Sequence, residues 1–324
     1  MKHALALLLA LTLLLASVLA FSSCNKKNSD DDATVRVGYL SGPTGLGLAK
    51  MIADNADNEK MVFTKYSSPN EIMTAYSKGE IDFATLPTNG FPQFKKNFKD
   101  TRDFQMIALN EYGVLYLLVK NGEPISPSDL SSLSGKTIYV PEQAPKLILQ
   151  HVLTAGNVEN ATINMEYNLD SLSAAFADEK VEYILLPEPK VTAETTQHPE
   201  FVVALDLTEA WNQVSEQTLV QGCMIVSKDF AQAHGGAVDA FLASYKNSIN
   251  WMKNAENLDT AAQYAVDAGI LPNAAVAKKA IPRCNLTFMA GGDMAITVNA
   301  FFTALGIAEQ PISSFYGITD DKMD

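Results

Sequence analysis

Glu111, Glu142 and Glu188 each stand where a short apolar stretch runs out into a turn. Carboxylates in such places do one of two kinds of work. A pair held within reach of one substrate atom serves as general acid and general base, and an acid facing a cleft receives the N–H groups of a bound molecule. Small polar residues and glycines occupy similar turns: Ser41, Gly42, Thr44 and Gly45; Thr85, Thr88 and Asn89; Asn110 and Tyr112; Gln143 and Ala144; and Gln221. Where a strand ends and a helix begins, peptide N–H groups point outward and hold polar ligands. Any one of these turns can be an ordinary turn, so the site reading depends on their coming together.

Motifs with fixed chemistry are missing. Gly42 and Gly47 have the spacing of a phosphate-cradling loop, but Leu48 and Ala49 replace its Lys and Ser/Thr, which argues against nucleotide hydrolysis. No GxGxxG, GxSxG or HExxH occurs. His151, His198 and His234 have no nucleophile beside them, and no CxxC or His/Cys cluster suggests a metal. Tyr66, Tyr112 and Trp211 are either stacking surfaces or core residues. Cys223 and Cys284 are either two buried thiols or a disulfide.

The elements that must position these residues repeat. Ile72, Ala75 and Tyr76, followed by Ile81-Asp82-Phe83-Ala84-Thr85-Leu86-Pro87, return as Leu172, Ala175 and Phe176, followed by Val181-Glu182-Tyr183-Ile184-Leu185-Leu186-Pro187. Each copy predicts an amphipathic helix feeding a buried strand that stops at Pro, which has no N–H to continue the ladder. Val35 to Leu40 and Lys136 to Pro141 precede them as strand, turn and helix. Two α/β units of similar plan follow, with mostly parallel sheets and helices on both faces. Apolar residues at helical spacing predict helices over 238–252 and 293–305. A chain that leaves the first unit near 120 and returns near 225 makes residues 34–120 and 225–324 one lobe and 121–224 the other, joined by two crossovers acting as a hinge.

The N-terminus reads as an address. Lys2 and His3 precede an apolar run from Ala4 to Phe21, and Ser22 and Ser23 lead into Cys24. This predicts a signal peptide over 1–23. Phe21-Ser22-Ser23-Cys24 looks like a bacterial lipobox, with Phe where Leu is usual. Lipidation would fall on Cys24, and ordinary cleavage would leave that thiol free. Residues 24–33, rich in Asn, Lys and Asp, predict a disordered tether. With 47% hydrophobic residues, 19% charged residues and a net charge of -13, the chain is a globular protein of the wrong sign to bind nucleic acid through phosphates.

Together the export signal, the two α/β units and the segments VRVGYLSGPTGLGLAK, KGEIDFATLPTN, GKTIYVPEQ and LLPEP resemble the solute-binding lipoproteins of ABC importers. The narrower resemblance is to the sulfonate/nitrate/taurine and thiamine-pyrimidine-precursor group. It implies a periplasmic-binding-protein type II fold, and a cleft faced by Gly42 to Gly45, Thr85 to Asn89, Glu142 to Ala144 and Glu188. The implied partners are a small-molecule ligand, an ABC permease with its ATPase, and a membrane reached through the lipid. The implied protein is a monomer without cofactor or metal, at the outer face of the cytoplasmic membrane or in the periplasm. The group's pyrimidine synthases carry a Cys-rich cluster that this chain lacks, which argues against catalysis. Three Glu in the cleft loops, with only Lys146 and Lys190 nearby, point to an N–H-rich or cationic ligand such as an aminopyrimidine. A sulfonate or nitrate binder, an exported enzyme and a signalling receptor on the same scaffold are the alternatives.

Overall fold

The computed structural model describes residues 33–318 apart from Glu142. The expected signal peptide, Cys24 and nearly all of the tether therefore lie outside the described residues, as do Glu142 and the side chains of Gln143 and Ala144.

Two sheets organise the chain. The first holds β1 (Val35–Leu40), β2 (Met61–Tyr66), β3 (Phe83–Pro87), β4 (Phe104–Tyr112), β10 (Val220–Ser227) and β11 (Leu286–Met289), in the order β11-β4-β10-β3-β1-β2. The second holds β5 (Leu115–Lys120), β6 (Thr137–Tyr139), β7 (Thr162–Asn164), β8 (Tyr183–Pro187) and β9 (Phe201–Asp206), in the order β7-β6-β8-β5-β9. The repeat holds to the residue. Helices Pro69–Ser77 and Leu169–Ala177, and strands β3 and β8, lie a hundred positions apart, with Ile72 and Leu172 fully buried beneath them. Both helices start on a side-chain cap that satisfies an otherwise unpaired N–H: Ser68 accepts from the Glu71 amide at 3.2 Å, and Asn168 from the Ser171 amide at 3.0 Å.

Two expectations need correction. The sheets are mixed rather than mostly parallel. β1 pairs in parallel with β2 and β3, and β6 with β7 and β8, but β10 runs antiparallel between β3 and β4, and β5 antiparallel between β8 and β9. Strands that arrive from the other unit enter from the opposite end, which the βαβ pattern could not reveal. The crossovers also fall earlier than expected. β5 belongs to the second sheet and β10 to the first, so the chain passes over at Gly113-Val114 and returns between residues 206 and 220. The apolar stretch from Phe104 to Lys120 is continuous in hydropathy and hides the break. Gly113 makes it: a Cβ there would stand 2.1 Å from the Thr208 hydroxyl and 2.8 Å from Leu219.

One hydrophobic cluster runs from the first unit into the second. At its centre Trp211 is fully buried with its ring centroid 5.8 Å from that of Phe301, while its Nε1 donates to the Gln217 carbonyl at 2.5 Å. Trp211 is thus a core residue and not a stacking surface. Asp82, also buried, receives Arg36 Nε at 2.8 Å and an Arg102 amino group at 2.7 Å. A buried charge survives only with such partners.

Candidate functional site

A cavity of about 720 Å³ lies between the two sheets. Strands β1, β2, β3 and β8 run out at its walls, the position at which ligands enter open α/β sheets. Of the residues expected at the site, Ser41, Gly42, Thr44, Asn89, Glu111, Glu188 and Gln221 line it. Gly42 opens the turn after β1 with φ of 82°, a conformation natural to glycine, and its N–H donates to the Ile270 carbonyl at 2.9 Å.

Gly45, Thr85, Thr88, Asn110 and Tyr112 do not line the cavity. Thr85 is buried and accepts from the Leu40 amide at 3.1 Å, and Thr88 is buried as well. Asn110 donates to the Thr44 carbonyl and the Tyr245 hydroxyl, both at 2.9 Å, and so supports the wall without lining it. Gly45 is needed for packing, since a Cβ there would stand 2.0 Å from the Leu40 carbonyl oxygen. Tyr112 lines a separate cavity of about 370 Å³. The histidines are elsewhere: His151 packs on Trp211 with ring centroids 4.5 Å apart, and His198 on Phe201 at 4.5 Å.

Glu111 and Glu188 behave differently. Glu111 is 3% exposed, receives the Thr44 hydroxyl on Oε1 at 3.3 Å, and leaves Oε2 without a partner. Burial pushes its carboxyl up to about 8, with only the Thr44 hydrogen bond opposing. It is therefore protonated near neutral pH. Glu188 accepts the Thr192 amide at 3.2 Å and meets Arg283 Nε at 2.9 Å; the second contact is a charge pair without the alignment of a hydrogen bond. Burial raises its carboxyl above the ordinary range, and Arg283 pulls it back. In either protonation state the pair adds no net negative charge. Gln221 spans the crossovers, its Oε1 accepting the Val114 amide at 2.6 Å.

Lys65, Arg283 and the turn from Gly269 to Pro272 escaped the sequence reading. Lys65 lines the cavity and donates to the Gly269 carbonyl at 3.3 Å, while Lys190, also lining it, meets Glu194 at 3.2 Å. The end of β2 is as much a strand end as that of β1, so the rule that found Ser41 could have found Lys65. Nothing in the sequence connects Arg283 with Glu188. These contacts set the charge of the described walls: the Glu111 carboxyl is neutral, Glu188 is matched by Arg283 and Lys190 by Glu194, and Lys65 lines the wall, while Glu142, the third acid expected there, lies outside the described residues.

Two α/β units joined by two crossovers about an interlobe cavity define the periplasmic-binding-protein type II fold. The chain belongs to the family described as menaquinone biosynthesis, whose model matches residues 43–281. Solved structures share its fold. An ABC transporter from Parabacteroides distasonis is 18% identical at a TM-score of 0.68, covering 90% of this chain and 98% of that one. The periplasmic aliphatic sulphonate binding protein SsuA from Escherichia coli is 15% identical at 0.66, covering 88% and 92%. The periplasmic nitrate-binding protein NrtA from Synechocystis PCC 6803 is 13% identical at 0.59, covering 90% and 84%. No curated protein matches the sequence significantly.

Proposed function

We propose that this is the solute-binding lipoprotein of an ABC importer. Exported and anchored through Cys24, it captures a small organic solute between its lobes and delivers it to a membrane permease. The observation that carries this reading is the cavity itself, walled by both sheets, so that a molecule touching both walls favours their approach by its difference in affinity for the closed and open arrangements. The crossovers at Gly113-Val114 and between 206 and 220 are where backbone rotation would occur. A micromolar dissociation constant corresponds to about 8 kcal/mol, within reach of a few satisfied hydrogen bonds and an apolar wall. Prolines and aliphatic residues supply much of that wall, among them Pro43, Pro69, Ile148, Leu169 and Val220. With Glu111 neutral and Glu188 matched by Arg283, these walls suit a solute with an apolar body better than the N–H-rich or cationic ligand, such as an aminopyrimidine, that the sequence favoured.

A thermal-shift and native mass-spectrometry panel on the processed chain tests the reading, because a ligand that binds only the folded state raises its melting temperature. Binding of small solutes without turnover is expected. Incorporation of labelled fatty acid that disappears in Cys24→Ser tests the anchor.

A second reading has one observation in its favour. The family's description names a biosynthetic process, and Glu111 is a buried, protonated acid at a cavity wall, as a general acid would be. Consumption of a panel hit by the wild-type chain but not by Glu111→Gln would favour an enzyme.

A further inference from the structure

We infer that Glu111 is the specificity residue of the cavity, a neutral carboxylic acid whose proton is donated to an oxygen of the solute, which selects carboxylates and carbonyl compounds over amines. This rests on the solute-binding reading and names the chemistry of its ligand. Glu111 lies at the end of β4, where the pairing of β4 with β10 shifts register at Gly222, an irregularity that re-aims side chains. Its side chain is fixed from behind: a Cβ on Gly222 would stand 2.6 Å from Glu111 Cγ and 2.2 Å from Asn110 Oδ1, so only glycine leaves room for it. Of the two carboxyl oxygens, Oε1 takes the Thr44 hydroxyl, and Oε2 is buried, unpartnered and on the residue that lines the cavity. A buried polar atom without a partner is a standing cost that a complementary ligand atom removes.

The proton belongs on Oε2. Glu111 touches the Thr44 hydroxyl, and near enough to interact electrostatically are the Tyr245 hydroxyl and the Cys223 and Cys284 thiols; none of these is a cation that could hold a carboxylate there. Burial keeps the tyrosine and both thiols neutral well past pH 8. The charged groups on the cavity walls are Lys65, Lys190 and Glu188, the last matched by Arg283. An ammonium ion entering here would meet Lys65, with Lys190 matched by Glu194, and lose its own hydration. An oxygen acceptor would meet a donor that has no other partner.

The test uses a panel of carboxylates, their methyl esters and the matching primary amines of five to ten carbons, with sulfonates and amino-heterocycles added. Binding to the wild-type chain and to Glu111→Gln is measured by native mass spectrometry and calorimetry at pH 7 and pH 9. Gln keeps an N–H donor at every pH. Expected are carboxylate or ester hits whose affinity for wild type falls about tenfold from pH 7 to pH 9, as the protonated fraction of a group titrating near 8 falls, and stays constant in Glu111→Gln. Amine hits without carboxylate or ester hits would overturn the inference and leave the solute-binding reading standing. The same pH profile in both chains would also overturn it. A panel in which no class binds would remove the solute-binding reading, and the inference with it.

Discussion

Arg283, just before β11, places its Nε 2.9 Å from Oε1 of Glu188, just after β8, so that a guanidinium of the first unit closes on a carboxyl of the second. The same guanidinium lies 4.3 Å from the centroid of the Tyr116 ring, and the Tyr116 hydroxyl donates to the Arg283 carbonyl at 3.1 Å. The pair thus binds the two units beside the crossovers. It also places Glu188 at the cavity wall with its charge matched.

Removing one member of a buried pair costs more than the pair is worth. Arg283→Leu leaves Glu188 without a counter-charge and should destabilise the fold by on the order of 3 kcal/mol, while Glu188→Gln, which removes the charge needing a partner, should cost less. Urea unfolding of both variants checks the order, and the reverse order would remove the pairing argument.

Stability should depend on pH through Glu111. Its folded-state carboxyl titrates near 8 against an ordinary 4.5, so the folded chain holds a proton that the unfolded chain releases between those values. This contribution is complete below about pH 4.5 and is lost as pH rises towards 8, at a slope of at most about 1.4 kcal/mol per pH unit. Glu111→Gln has no proton to release, so its melting temperature should fall less between pH 6 and pH 9 than that of wild type. Parallel curves would mean that the carboxyl is not the titrating group.

Gly222→Ala should cost about 1 to 3 kcal/mol, because the new methyl overlaps Asn110 and Glu111 in a region with no slack. It should also weaken every panel hit by displacing Glu111. A stable variant with unchanged binding would show that the carboxyl is positioned by something else.

Cys223 and Cys284 are free and buried, which settles the choice the sequence left open between thiols and a disulfide. Burial pushes the Cys223 thiol up to about 12 and that of Cys284 well above its ordinary range. In a Cys24→Ser chain, Ellman's reagent should find no fast-reacting thiol in the native protein and two after unfolding. A mass two hydrogens lighter than the reduced chain would contradict this.

Much of the architecture was legible because it repeats. Ile72 and Leu172, or Pro87 and Pro187, are chemically alike at equal spacing, and burial and strand ends follow from residue type. The turns at strand ends brought Ser41, Gly42, Thr44, Asn89, Glu111, Glu188 and Gln221 to one cavity. What stayed hidden depends on partners distant in the chain. Asn110 points to Tyr245, and Glu188 to Arg283, across separations that no local pattern encodes. The charge states of Glu111 and Glu188 stayed hidden for the same reason. Acids can be counted in a sequence, but whether each is matched or protonated is decided by what packs against it.

In the first sheet, β3 and β4 are neighbours only through β10, which lies between them, whereas every strand of the second sheet falls within residues 115–206. A ribosome releasing this chain N-terminus first would therefore finish the second unit while the first still has a gap at its middle. β1, β2 and β3 can pair with one another, but β4 and the open edge of β3 must wait more than a hundred residues for the strand that joins them. That delay leaves the first sheet divided until about two thirds of the polypeptide has been synthesised.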